Sequence, residues 1–174
     1  MNYQDVAITL ENGTQRLLDL INSVPKRVFQ QETSPEKWSI AKVCQHLINT
    51  DNNITRILTE PTSPTVDRNP EAKLEKIKDS LLNEKKKMKA TGVLVPKKIM
   101  KDKHHAIHGI MKPRDQMLLI IHRNDLSRTC PGYSHPQFGI MTAIEWVYFC
   151  IYHSDRHIKQ IERLLQEFEN KTVE

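Results

Sequence analysis

Apolar residues recur at helical spacing along almost the whole chain, and prolines cut that pattern into segments; this pairing of period and punctuation most narrows what the chain can fold into. In the C-terminal stretch, Ile144, Val147, Ile151, Ile158, Ile161, Leu165 and Phe168 fall in one stripe when each residue is advanced by about 100° around a helix axis. Trp146, Cys150 and Leu164 widen the apolar arc to one side. Thr142, three residues before Glu145, predicts the N-cap of this helix, which extends to about Glu169.

The same reading places a first helix from Tyr3 to Ser23, with Val6, Leu10, Leu17 and Leu20/Ile21 facing inward and Pro25 beyond its end. Ser39 is a good N-cap for a second helix reaching about Glu60 and stopped by Pro61. Its inward stripe is Ile40, Val43/Cys44, Leu47/Ile48, Ile54 and Ile57/Leu58. Prolines at 61, 64 and 70 make the next ten residues a connection. A third, less hydrophobic helix is predicted over Glu71–Lys89, carrying Leu74, Ile77, Leu81 and Met88. A weakly patterned stretch follows from Thr91 to Lys112, and a fourth helix is expected to begin with Pro113 at N1 and continue through Met117, Leu118, Ile121 and Leu126 to a stop at Pro131-Gly132.

Strands have little support. There are five glycines, no Asn-Gly or Asp-Gly turn between alternating runs, and only Val93–Val95 approaches a strand pattern. The expectation is an all-α bundle forming a single domain over residues 1–174, long enough to bury a core without a disulfide framework. No apolar run nears the roughly 18 residues of a membrane span. The N-terminus lacks the pattern of a signal peptide, and three cysteines without a CxxC fit a reduced, cytoplasmic setting.

Chemistry concentrates in three histidines. His153 and His157 are four residues apart, so a helix carries them on one face, and they lie at the edge of the widened apolar arc. His46 holds a similar position on the second helix, between Val43 and Leu47. Two helices meeting at this margin would offer three imidazole nitrogens to a divalent metal, Zn or Ni, and leave positions open for water or a substrate. Taken alone, the pair is more readily a chance spacing among eight histidines than a metal site.

Two blocks narrow that choice. HPQFGIMTAIEWVYFCIYHSDRHIKQIERLL, from His135 to Leu165, and WSIAKVCQHLINTD, from Trp38 to Asp51, resemble the two recurring blocks of the DinB superfamily, in order and at the expected separation. That resemblance implies a four-helix bundle with up-down-down-up connectivity, here with an additional helix or long loop. It also implies frequent homodimers and a divalent metal on the residues matching His46, His153 and His157. Relatives include thiol S-transferases that use bacillithiol and an isomerase that uses mycothiol; others look like metal-dependent hydrolases. The implied function is a metal-dependent enzyme that activates a low-molecular-weight thiol against a small electrophile. A hydrolase activating water, a metal-retaining scaffold and a basic nucleic-acid-binding module are the alternatives.

The last alternative rests on the segment Lys85–His108, which has no counterpart in those blocks and holds most of the excess behind the net charge of +5. Its lysines, extended by Arg114 and Arg123, could attract phosphates, but no aromatic residue lies between Lys85 and Lys112 to stack on bases. A solvated loop is therefore expected, with nucleic acid not a partner, and His104, His105 and His108 rank below the helical trio as a metal cluster. Cys150 is read as a buried residue before it is read as a fourth ligand, and His135 as a turn residue or a group at the site's entrance. Asp155, Arg156, Asp51 and Asn49 are candidates for contacts behind the ligands.

Overall fold

Helix boundaries in the computed structural model, which describes residues 2–64, 68–86, 90–97 and 100–173, follow the capping chemistry. Helix α1 spans Tyr3–Ser23, with Asn2 accepting from the Gln4 amide, and α2 spans Ile40–Thr59, with Ser39 Oγ accepting from the Lys42 amide. α3 is short, Leu74–Leu82, and a 3-10 turn covers Gly92–Leu94. α4 runs from Lys103 to Arg123, and α5 from Ala143 to Val173. At the start of α5 the Glu145 amide donates to Thr142 Oγ1 and the Thr142 amide donates to Glu145 Oε2, the reciprocal cap expected from the Thr–Glu spacing.

The directions of the helices follow from who meets whom. Ile48, Asp51 and Thr55 of α2 meet Gly109, Arg114 and Pro113 of α4, so these two helices run parallel. α2 is antiparallel to α5, since His46 meets His153 and Asp51 meets Cys150. α1 is antiparallel to α4, with Thr14 beside Arg114 and Lys103 reaching the carbonyls of Asn22 and Val24. Val6 and Leu10 share a core with Ile144 and Val147, and Leu17 and Ile21 share one with Ile161 and Leu164, so α1 and α5 are parallel. The result is an up-down-down-up four-helix bundle, ordered α1, α4, α2, α5 around its axis, with α3 packed on α5.

Three expectations need correction. The fourth helix does not begin at Pro113, which lies inside α4. Asp102 caps the helix about three turns earlier, and Ala106 and Ile110 are fully buried, which outweighs the bond lost at proline. The helix also stops at Arg123, and Leu126 is buried from the turn beyond it. A small antiparallel hairpin then forms from β1, Thr129–His135, and β2, Gly139–Thr142. Its longer turn uses Gly139 at φ +67°, and an irregular register between Thr129 and Ser134 hides the alternation that would mark a strand. Finally, α3 is confined to nine residues, and Met88 lies outside the described residues.

Each bundle helix contributes one side chain to a polar level between the two apolar clusters. Thr14, Asp51, Arg114 and Ser154 fall at the same level and divide the core into two apolar halves. Arg114, 1% exposed, donates from Nε to Asp51 Oδ2 (2.8 Å), from Nη1 to Thr14 Oγ1 (3.1 Å) and from Nη2 to Ser154 Oγ (2.6 Å). Arg114, which the sequence offers as an extension of a basic patch, is instead the centre of a buried seam. Arg123 is exposed.

A candidate metal centre between α2 and α5

The antiparallel crossing of α2 and α5 brings the three sequence-predicted histidines together. His153 Nε2 lies 3.2 Å from His46 Nε2 and 3.1 Å from His157 Nε2, and the three nitrogens all fall within 4.8 Å of one another. The rings are packed edge to face, with centroids 4.4 to 5.0 Å apart, and retain 6 to 7% of their exposure. They sit beside the polar seam, since His46 lies five residues before Asp51 and His153 adjoins Ser154.

Two of the rings have their proton position fixed from behind. His46 Nδ1 is 2.8 Å from the Leu94 carbonyl, and His157 Nδ1 is 2.7 Å from Gln160 Oε1. Both partners accept, so Nδ1 carries the hydrogen in each ring and Nε2 presents a lone pair to the centre. His153 Nε2 faces both lone pairs but has at most one hydrogen to give, so three neutral rings leave one close nitrogen pair without a bridging proton. A cation removes the conflict. Zinc–nitrogen bonds of about 2.0–2.1 Å place two ligand nitrogens about 3.3–3.4 Å apart at a tetrahedral angle and about 2.9 Å apart at a right angle. The 3.1 and 3.2 Å separations lie between these values.

Protonation is disfavoured throughout. Burial pushes the His46 imidazole below its ordinary pKa, pushes His153 well below it and, with the neighbouring His46, brings His157 down to about 3. Neutral imidazole is the form a metal binds. The Nδ1 of His153 is buried without a partner among the described residues, and its ring stacks on Phe149 at 5.7 Å and 17°. Trp38 packs its ring 5.2 Å from that of His46.

Several other expectations separate here. Cys150 turns away from the nitrogens and donates its thiol to Asp51 Oδ1 at 3.3 Å; burial and that carboxylate raise its pKa well above the ordinary thiol value. Asp51 serves Arg114 and Cys150 rather than a ligand. Asp155 pairs with Arg16, and Arg156 donates to the carbonyls of Leu81, in the last turn of α3, and of Asn83 and Lys86 beyond it. Asn49 comes closest to the expected role, donating to the Val93 carbonyl beside the one that holds His46. His135 accepts from the Gln137 amide and stacks on Phe138, and burial brings its pKa to about 4. The anchors that sequence reasoning missed are the Leu94 carbonyl and Gln160. Gln160 is legible afterwards, three residues from His157 on the same helix; a backbone carbonyl has no sequence signature.

Comparison with known proteins agrees with this architecture. The crystal structure of TT2238, a four-helix bundle protein, superposes with a TM-score of 0.59 over 93% of this chain and 99% of that one, at 15% identity, a level that speaks for the fold alone. The uncharacterized protein YuaE of Bacillus subtilis (strain 168) is 27% identical over 150 residues, which cover 81% of this chain and 85% of that protein. The family model for the DinB superfamily matches residues 9–161, and the chain belongs to that superfamily.

Proposed function

We propose that this member of the DinB superfamily holds one divalent metal, Zn or Ni, on the Nε2 atoms of His46, His153 and His157, and works as an enzyme that activates a low-molecular-weight thiol against a small electrophile. The observation that carries the reading is the convergence of those nitrogens, with Leu94 and Gln160 fixing two of the rings from behind. Three protein ligands leave coordination positions for an incoming molecule. When bound, the ion supplies Lewis acidity that lowers the pKa of a thiol or water beside it. The residues of the chain keep the imidazoles neutral, orient them, and surround them with Trp38 and Phe149.

Among the described residues the cluster consists of histidine nitrogens alone. A thiol is favoured over water by how readily it ionises. A thiol starts from a pKa of about 8.5 and needs far less help to ionise than water, a much weaker acid. Hydrolysis remains the second reading, and a metal-retaining scaffold the third. A homodimer, the assembly that the superfamily resemblance implies, is part of the proposal. A reducing compartment is supported by the three buried, unpaired cysteines, Cys44, Cys130 and Cys150.

Elemental analysis of gel-filtered protein tests the centre. The wild type should carry one tightly held ion per chain, and the His153→Ala/His157→Ala variant none; equal contents would exclude the three histidines. Turnover of an electrophile that requires both metal and added thiol separates the transferase from the hydrolase, which needs no thiol, and from the scaffold, which shows no turnover.

A further inference from the structure

The lysine- and histidine-rich segment expected as loop becomes helix at Lys103, and this changes what its histidines can do. Asp102 fixes the start: its Oδ1 accepts from the His105 amide (3.0 Å) and from His105 Nδ1 (2.9 Å). Lys103 ties the same turn to the end of α1 through the carbonyls of Asn22 (2.6 Å) and Val24 (2.7 Å). Ala106 and Ile110, both 0% exposed, anchor one face in the core. At about 100° per residue, His104 and His108 lie on the opposite face, about 40° apart, and both are exposed. His105 sits a quarter-turn away and is engaged by Asp102.

We propose that His104 and His108 form a second, surface metal site for a borderline divalent transition-metal ion, with copper(II) preferred. Side chains four residues apart on a helix have Cβ atoms about 5–6 Å apart, which lets two imidazoles reach one ion. The loop expected from the sequence would have to order itself to do so; a capped and anchored helix holds the pair in advance. Among divalent ions of the first row, copper binds nitrogen ligands most tightly. Met111 adds a reason for copper: it is 38% exposed, lies on the same stripe three residues beyond His108, and its side chain leans toward the N-terminal end as helical side chains do, so that its thioether can approach the ion. The site is labile. It has two imidazole ligands, it lies near the positive end of the helix dipole, and Lys101 and Lys112 flank it in the chain. It exchanges its ion with solution, unlike the buried centre between α2 and α5.

The test is a copper(II) titration of the metal-free full chain, read by equilibrium dialysis and by electron paramagnetic resonance. It uses four proteins: wild type, His104→Ala/His108→Ala, His153→Ala/His157→Ala, and the quadruple variant. The expected result is one exchangeable equivalent fewer in the His104→Ala/His108→Ala protein than in the wild type, with loss of the signal from nitrogen-coordinated copper that titrates with it. The same one-equivalent difference should separate the His153→Ala/His157→Ala protein from the quadruple variant, so the surface site stands even where the interior histidines take up nothing. His105→Ala should leave uptake unchanged. Both surface positions are exposed, so unchanged thermal melting of the metal-free variants confirms intact folding. Equal copper uptake by wild type and the His104→Ala/His108→Ala protein overturns the proposal.

Discussion

Replacing Asp51 with Ala should be among the most damaging single changes this chain can suffer, although Asp51 touches no candidate ligand. Asp51 is 0% exposed and Arg114 is 1% exposed, and the pair spans the seam between the apolar halves of the core. Removing the carboxylate leaves the guanidinium buried with only the hydroxyls of Thr14 and Ser154. Breaking a buried ion pair from one side costs about 3–5 kcal/mol. For a chain of this size each kcal/mol moves the melting temperature by about 2–4 °C, so a fall of about 6–20 °C is expected. Urea denaturation should show a lower midpoint with an unchanged m value. An Asp51→Leu/Arg114→Met double variant removes both charges with apolar groups and should recover most of the loss, giving a coupling of several kcal/mol in a double-mutant cycle. A cost below about 1 kcal/mol for Asp51→Ala would refute the reasoning, because it would mean that water reaches the guanidinium and the seam is not a dry layer.

The remaining predictions concern the histidines and one close helix contact. Gln160→Ala removes the acceptor behind His157 and should weaken zinc binding about 10–100-fold, measured by competition with a chromogenic chelator, with little effect on melting of the metal-free protein. Acid should destabilise the metal-free fold from near neutrality downward. Below pH 6.5 the unfolded chain takes up protons that the buried rings of His46, His135, His153 and His157 refuse. Stability is then lost as pH falls through the window between 6.5 and the folded-state values of about 4 for His135 and about 3 for His157. Each refused proton contributes about 1.4 kcal/mol per pH unit, and a flat profile between pH 6.5 and 4 in urea melts would contradict the burial of these rings. Gly109→Ala would set a Cβ 2.6 Å from Ile48 Cδ1, and it should cost about 1–3 kcal/mol of packing, partly offset by about 1 kcal/mol of helix propensity. Adding Ile48→Val, which deletes Cδ1, should restore stability in thermal melts; no rescue would place the strain elsewhere.

What the sequence disclosed, and what it withheld, divides along a physical line. Helices with a broad apolar stripe and a side-chain cap were legible at both ends for α1 and α2 and at the start for α5, which runs on to Val173 rather than about Glu169, because period and cap lie in the chain itself. Facing of His46 toward His153 and His157 was legible for the same reason, each being set by its place on an amphipathic helix. The start of α4 was hidden because two cues compete: Pro113 satisfies the rule for a first helical position, while Asp102 satisfies the rule for a cap. Tertiary contact decides between them. Gly109, four residues before the proline, lets α4 lie close against Ile48, and Thr55 donates to the Pro113 carbonyl at 3.2 Å. Pairings between distant residues were hidden in a different way. Arg114 looks like one more surface cation in a basic chain, and only the coincidence of Thr14, Asp51 and Ser154 at one level shows that it is buried. That seam bears directly on the candidate centre. Polar residues at one level on four helices are satisfied in one register, since a shift of α5 by one turn would part Ser154 from Arg114 and Cys150 from Asp51 while it carried His153 and His157 past His46. The buried ion pair and the three imidazoles therefore depend on the same alignment of α2 and α5, and the energetic penalty for misaligning the first keeps the second in place.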